Sequence, residues 1–401
     1  MAFFVEVGYN SIMSKRIFLL VIDGLGVGHA HDGRYPEDIG SNTLLHIMQE
    51  THCYLPTLKR LGLLNMPSID ANNDTPVIAD YAILNPLSVG KDSCMGHWEM
   101  AGCITKEPFA NFTQGYPDDI VEVICTAFGC EQVLLNRAYS DTKALNDYGD
   151  RHMATGFPIV YTNTESCLSI ACHGAMYSTE ELHYACEYIA KNLPSKYNIC
   201  RVIARPFAGI KDNYYYIKER KDYTLSAPKN LITNILTNHD YEVISVGKVF
   251  DLFGHQGFTT AYETYSNQQV FDALDEIVES DFEGLCFANF GDSDVLYGHR
   301  NDAYGFKECL YRIDEFLSDF ISRLGEDDVL MITADHGNDP LTASTDHSRE
   351  MLPLIIYQPH LSRGVYLGDF MGLNHISDYI KKYFDISKKS ELYKKIEETR
   401  E

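Results

Sequence analysis

Three separated stretches end apolar runs with groups that bind cations. L-L-V-I-D-G closes on Asp23, and A-N-F-G-D-S-D-V-L-Y-G-H-R carries Asp292, Asp294 and His299. M-I-T-A-D-H-G-N-D carries Asp335, His336 and Asp339, with Asp346 and His347 a few residues on. Mixed carboxylate and imidazole sets suit Mn²⁺ or Zn²⁺ better than Ca²⁺ or Mg²⁺, which prefer oxygen alone. A fourth stretch, G-K-D-S-C-M-G-H-W-E, runs from Gly90 to Glu99 and sets Ser93 between Asp92 and Cys94 with no base beside it. A serine hydroxyl is a weak nucleophile until a base or a metal activates it. The sequence contains neither G-x-S-x-G nor G-x-x-x-x-G-K-[ST], so the elbow and phosphate-loop routes are closed. The chemistry these groups could do together is attack by a metal-activated Ser93 hydroxyl, with a second ion about 4 Å away holding a phosphoryl oxygen.

Each group also has an ordinary reading. A lone Asp after a strand is a turn residue or helix N-cap, and a lone His299 is a surface or core histidine. Ser93 reads as a helix N-cap, a place that also favours phosphate. Ordinary turns give no reason for Asp or Asp-His at the ends of three separate strands. Six or seven such donors exceed one tetrahedral shell, so two ions fit better than one.

Only a fold that gathers strand ends can make these groups meet. Ile17–Ile22 is a continuous apolar run, as in a strand buried on both faces, and Tyr241–Val246, Leu285–Phe290, Val329–Thr333 and Leu352–Tyr357 resemble it. Helical patterns lie between them at Asn267–Val278 and at Tyr304–Leu324, where Leu310, Ile313, Leu317, Ile321 and Leu324 recur at helical steps. The alternation predicts an α/β fold with a mostly parallel sheet flanked by helices. In such a sheet the strand C-termini share one edge, where ligand sites form.

The middle third differs. G-F-P-I-V-Y-T and C-L-S-I-A-C are short strands close together, and Thr179–Asn192 reads as a helix before the strand Val202–Phe207. Residues 109–226 are expected to form a smaller inserted α/β domain, with 1–108 and 227–401 as the catalytic core. The lysine- and glutamate-rich end from Lys388 is expected to be a solvated helix.

A chain of 401 residues is long for one core, so two domains are expected. The net charge of −24 argues against nucleic acid and anionic membranes as partners. A small anionic substrate is still admitted, because cations make a pocket locally positive. Eleven cysteines without a C-x-x-C pair read as reduced thiols of a cytoplasmic protein. The first twelve residues lack the pattern of a signal peptide, and no apolar run reaches membrane-spanning length. Met13, just before S-K-R and the first strand, reads as a working start, with residues 1–12 an extension. Nothing in the pattern demands an oligomer, and a monomer is compatible with it.

Taken together, the motifs resemble those of the phosphopentomutases, in the metal-dependent, alkaline phosphatase-like superfamily. The resemblance runs from Ile17 to about Tyr357 through D-G-L-G-V-G, G-S-N-T-L-L-H-I, G-K-D-S-C-M-G-H-W-E, H-M-A-T-G-F-P-I-V-Y-T, R-V-I-A-R-P-F, K-D-Y, V-G-K-V-F-D, D-S-D-V-L-Y-G-H-R, T-A-D-H-G-N-D-P and T-D-H-S-R-E. It implies an alkaline phosphatase-like core with an inserted cap and two Mn²⁺ ions, for which Zn²⁺ or another divalent ion can substitute in a preparation. Asp23, Asp335 and His336 would hold one ion with the nucleophile, and Asp294, His299 and His347 the other. Ser93 would be phosphorylated at rest, with a sugar bisphosphate as activator. The substrate would be a small phosphosugar, (deoxy)ribose 1-phosphate exchanging with (deoxy)ribose 5-phosphate. Arg205 and Arg220 match the cap's phosphate-contacting arginines, and Lys248 a lysine near the pocket.

Two departures stand out. Ser93 sits where the family has threonine, which keeps the oxygen and frees χ1. Asn163-Thr164-Glu165-Ser166 replaces S-A-D-S, so Glu165 adds a methylene where an aspartate helps bind sugar. The competing readings are a mutase for another phosphosugar, a two-metal phosphatase or phosphodiesterase, and, last, a non-catalytic binding protein.

Overall fold

The computed structural model describes residues 15–70, 76–110, 112–162, 166–224 and 228–400. The Met13 start, the 1–12 extension and Asn163-Thr164-Glu165 lie outside the described residues. Fourteen strands are assigned among those described: β1 Arg16–Ile22, β2 Asp80–Asn85, β3 Leu134–Ala138, β4 Ile159–Thr162, β5 Cys167–His173, β6 Arg201–Ile210 and β7 Asn213–Tyr216. The rest are β8 Lys221–Thr224, β9 Glu242–Val246, β10 Thr260–Tyr262, β11 Gly284–Phe290, β12 Val329–Thr333, β13 Leu352–Tyr357 and β14 Tyr366–Met371.

The larger sheet has the order β10-β9-β11-β1-β12-β13-β2-β14. Neighbours are parallel except around β13, which runs against both β12 and β2. The two reversals restore the direction of β2, so β9, β11, β1, β12 and β2 all point their C-termini the same way. β1 lies between β11 and β12, and each residue from Ile17 to Ile22 is fully buried. That double burial is why the run is apolar without alternation.

Helices cover the sheet. Ser266 caps Asn267–Glu279 by accepting from the Gln269 amide, and Val270, Leu274 and Ile277 are buried. Asp302 caps Ala303–Phe320 in the same way and buries Phe306, Leu310, Ile313 and Leu317. This helix stops at Phe320, four residues short of the expected end. Ile321 and Leu324 stay buried in the turn that follows, so the apolar period outlasts the helix. The C-terminal helix Glu391–Arg400 corrects the expectation of a merely solvated helix. Leu392 and Ile396, one turn apart, are buried in the main core, and Arg400 pairs with the buried Asp80.

A second sheet, β3-β4-β5-β6-β7 with β8 also on β6, spans Leu134 to Thr224. It has its own apolar clusters, around Ile120, Ile170, Leu182 and Val202 on one side and Leu145, Tyr161 and Phe207 on the other. Between the two sheets Thr224 Oγ1 donates to the Asp251 carbonyl at 2.5 Å, and Trp98 meets Phe109 edge-on. Among the described residues no helix is long and apolar enough to cross a membrane.

Candidate active site

The common edge of the larger sheet collects the polar groups. Asp23 follows β1 directly, Asp335 and His336 follow β12, and Lys248 stands two residues past β9. Beyond β11 the chain enters a wide π-helical turn, Ser293–Tyr297, that contains Asp294 and is followed by His299 in a tighter 3-10 turn. After β2 a short loop leads to the helix Ser93–Met100; its cap is Asp92, not Ser93 as the sequence suggested, because the Asp92 Oδ1 accepts from the Met95 amide at 3.0 Å while Ser93 is already the first helical residue. Its approach to the sheet depends on Gly96, where a Cβ would lie 2.1 Å from the Asp335 carbonyl oxygen. His347 comes from the loop between β12 and β13.

These side chains meet. Ser93 Oγ lies 3.1 Å from His336 Nε2 and accepts from Lys248 Nζ at 2.7 Å. Lys248 Nζ also pairs with Asp23 Oδ2 and stands 3.9 Å from Asp335 Oδ2. His336 Nε2 is 3.5 Å from Asp23 Oδ1 and 3.3 Å from Asp335 Oδ2. On the other side Asp294 reaches His299 Nε2 at 3.4 Å and His347 Nε2 at 3.3 Å. The His336 and His347 rings stack at 3.6 Å and join the two groups.

The hydrogen bonds behind these groups decide what they can hold. His299 Nδ1 donates to the Thr345 carbonyl at 2.7 Å, His347 Nδ1 to the Lys91 carbonyl at 2.8 Å, and His336 Nδ1 to the Gly337 carbonyl at 3.2 Å. In a neutral imidazole this fixes the tautomer and turns the Nε2 lone pair inward. Yet His299 Nε2 and His347 Nε2 lie 3.2 Å apart, and two lone pairs at that range need a cation or a proton between them. Among the described residues no hydrogen bond reaches the buried Asp23 Oδ1 and Asp335 Oδ2, which is costly unless a cation compensates. Asp23–Asp335–His336 and Asp294–His336–His347 each bring three ligand atoms within 4.8 Å of one another. The donor set fits divalent cations.

The electrostatics agree. Burial, then the charge of Asp335, pushes the Asp23 carboxyl well above its usual range. Burial would do the same to Asp335, but the neighbouring His336, then His97 and Lys248, outweigh it and hold Asp335 low. Burial also lifts Asp294, and His299 and His347 overcome it. His336 is drawn down to about 4 by burial, against the pull of Asp335, so its ring stays neutral near pH 7 and keeps a lone pair to offer.

Supporting residues complete the shell. Asn289 Nδ2 donates to Asp23 Oδ2 at 2.9 Å and Asn338 Nδ2 to Asp294 Oδ1 at 2.6 Å. His97 Nδ1 donates to the Ser93 carbonyl at 2.8 Å and lies 3.3 Å from Asp335 Oδ2. Sequence reasoning missed His97 and both asparagines. It gave Lys248 only a place near the pocket, although the strand-end logic applied to Asp23 reaches Lys248 as well.

Other residues near these strand ends are used elsewhere. Asp292 accepts the Asn267 amide at 2.9 Å, Asp339 takes the Asn42 amide and His46 Nδ1, and Asp346 accepts the amide of His347. Arg205, on β6, pairs with Asp141 at 2.6 Å and lies over the Tyr216 ring. Arg220 holds Asp222 through Nε and Nη2, both at 2.8 Å, with its side chain 45% exposed. Glu165 is outside the described residues.

Comparison with known proteins adds an independent line. The model of the metalloenzyme superfamily matches residues 15–388, further than the motif resemblance that stops near Tyr357. A phosphopentomutase from Lachnoclostridium phytofermentans is 38% identical over 374 residues, covering 93% of this chain and 96% of its own. A phosphopentomutase from Dictyoglomus turgidum is 39% identical over 376 residues, 93% of this chain and 95% of its own. Among solved structures, the PH0037 protein from Pyrococcus horikoshii aligns over 94% of this chain and 99% of its own, at 15% identity and a TM-score of 0.48.

Proposed function

Because the chain belongs to the metalloenzyme superfamily and, within it, to the phosphopentomutases, we propose that it interconverts (deoxy)ribose 1-phosphate and (deoxy)ribose 5-phosphate. The enzyme is an isomerase of a small phosphosugar, on an alkaline phosphatase-like α/β fold, and it uses divalent metal. The observation that carries the reading is the likeness to phosphopentomutases along nearly the whole chain.

The finer reading assigns roles. Asp23, Asp335 and His336 would hold one ion beside Ser93, and Asp294, His299 and His347 the other, with Mn²⁺ as the proposed metal. What two such ions supply when bound is neutralisation of phosphoryl oxygens and activation of a hydroxyl. Ser93 Oγ carries the phosphoryl group at rest, and its 3.1 Å approach to His336 Nε2 supports that role. The phosphoserine gives its phosphoryl group to the sugar monophosphate, forming a bisphosphate. The bisphosphate turns and returns its other phosphoryl group to Ser93 Oγ. Lys248 donates to Oγ and balances charge there as the P–O bond breaks. A sugar bisphosphate therefore primes an unphosphorylated enzyme.

The second sheet, with residues 109–226, is proposed as the substrate-binding cap. Arg205 and Arg220 would grip the distal phosphate through their forked donors, and Glu165 is the proposed sugar-binding residue. The proposed location is the cytoplasm, supported by the free thiols of all eleven cysteines. A monomer acting without nucleic acid or membrane partners completes the reading, in line with the −24 charge.

The test is direct. Mn²⁺-loaded, bisphosphate-primed protein is incubated with ribose 5-phosphate and the products are resolved. Ribose 1-phosphate is expected; inorganic phosphate alone would replace the mutase with a hydrolase.

A further inference from the structure

Cys94 is the residue after Ser93, and Cys200 is the residue before β6, the strand that carries Arg205. They are 106 positions apart in the chain, yet their sulfurs stand 2.7 Å apart. Both side chains are buried. The pair sits where the two sheets join, beside the Ala110 amide that donates to the Asn198 carbonyl at 3.1 Å.

The cluster also contains Asp92, and a soft metal is the first alternative to weigh. Two thiolates on one tetrahedral ion, with bonds of about 2.3 Å, would stand roughly 3.8 Å apart. The observed separation is too short for that. It is much nearer the covalent distance of about 2.05 Å, which asks for a shift well under one ångström. We infer that Cys94 and Cys200 form a reversible disulfide that fastens the Ser93 helix to the root of β6 and arrests turnover. The inference rests on the reading of the second sheet as the substrate-binding cap, which must give the bisphosphate room to turn.

A peroxide is the oxidant by class. The Cys94 sulfur attacks one peroxide oxygen, the O–O bond breaks, and the other oxygen leaves as water, giving a sulfenic acid. The Cys200 sulfur then attacks that sulfur; the S–S bond forms, the S–O bond breaks, and the hydroxyl leaves as water with the Cys200 proton. Two thiols and one peroxide give one disulfide and two waters, and the peroxide oxygens take both electrons. A dithiol reductant reverses the bond, as expected of a transient disulfide in a reducing compartment.

The experiment treats metal-loaded protein with hydrogen peroxide, blocks remaining thiols and maps tryptic peptides. The peptides 92–106 and 197–201 are expected joined through Cys94 and Cys200, lighter than their sum by two hydrogen atoms. Ribose phosphate turnover is expected to fall by roughly tenfold or more and to return with dithiothreitol. Cys200→Ser is expected to keep its turnover through the same treatment, with Cys200→Ala as a second variant should the first fold poorly. Absence of the joined peptide overturns the inference; so does a joined protein of full activity, or equal inactivation of both variants. The peptide map is read without any assay, so it still decides the disulfide if reduced enzyme makes no ribose 1-phosphate and the mutase reading falls instead.

Discussion

Lys248 Nζ lies 2.7 Å from Ser93 Oγ and bridges that oxygen to Asp23. An ammonium only donates, so this contact strengthens as negative charge builds on Oγ. Lys248→Met is therefore expected to lower kcat by ~10²-fold or more, with a smaller change in KM, since losing one charge-stabilising donor costs about that much. Lys248→Arg should restore little, because a planar fork does not replace a point charge among Asp23, Asp335 and Ser93. Initial rates on ribose 5-phosphate check both variants, and an unchanged kcat in Lys248→Met would remove Lys248 from the chemistry.

Gly96 sets how closely the Ser93 helix meets the Asp335 loop. A Cβ there would come within 2.1 Å of the Asp335 carbonyl oxygen, which is backbone and cannot swing away. Gly96→Ala should displace the helix, lower stability by ~1–3 kcal/mol and reduce turnover far more than that loss explains. Gly174→Ala is the control: nothing lies within 4 Å of its added methyl, so stability should move by less than about 0.5 kcal/mol. Urea unfolding and turnover of the pair provide the comparison, and a fully active Gly96→Ala would contradict the close-approach argument.

The parts legible in the sequence were those that one strand or helix encodes by itself. β1, β11 and β12 are apolar along most of their length because both faces are buried, and their ends carry Asp23, Asp294 and Asp335-His336 at one edge. The reversal of β13 was not legible, since side-chain pattern does not record strand direction. β14 escaped for a local reason: its pairing with β2 shifts register between Tyr366 and Asp369, which breaks the alternation. The burial of Leu392 and Ile396 was hidden in a helix with only a two-residue apolar stripe among charges. Cys94 and Cys200 meet only through the tertiary fold, and no local signal links them.

His152 yields a prediction about pH. Its Nδ1 donates to the Phe157 carbonyl at 2.8 Å, while its Nε2 accepts the His173 amide at 2.9 Å. One nitrogen must carry a proton and the other a lone pair, so the buried ring is neutral as the Nδ1–H tautomer. Burial accordingly depresses this histidine below its ordinary value of 6.5. The unfolded chain then binds the extra proton first as pH falls. Stability is complete above 6.5 and declines below it, with a slope up to ~1.4 kcal/mol per pH unit until the folded ring also protonates. Unfolding midpoints across that range should show the decline, and His152→Gln should flatten it. A slope identical in the variant would place the proton uptake elsewhere.

Asp222 holds Arg220, one of the two arginines proposed to grip phosphate. It accepts two bonds from Arg220 and stands 3.2 Å from Arg201 Nη1, and it is itself almost wholly buried. Burial raises its carboxyl, but Arg220 and Arg201 outweigh that and keep it below the usual carboxylate range, so it is ionised at neutral pH. Arg220 meanwhile keeps almost half its side chain exposed, leaving donors that can face an incoming phosphate. Asp222→Asn preserves the shape and removes the charge that aims the guanidinium. KM for ribose 5-phosphate is expected to rise several-fold with kcat nearly unchanged, the mark of lost binding common to ground and transition states. Arg220→Met should raise KM further, by ~10-fold or more, as a charge-assisted pair to phosphate is lost. The double variant should be little worse than Arg220→Met alone, because Asp222 acts only through Arg220 in binding. Strictly additive losses would mean that Asp222 supports the pocket by another route.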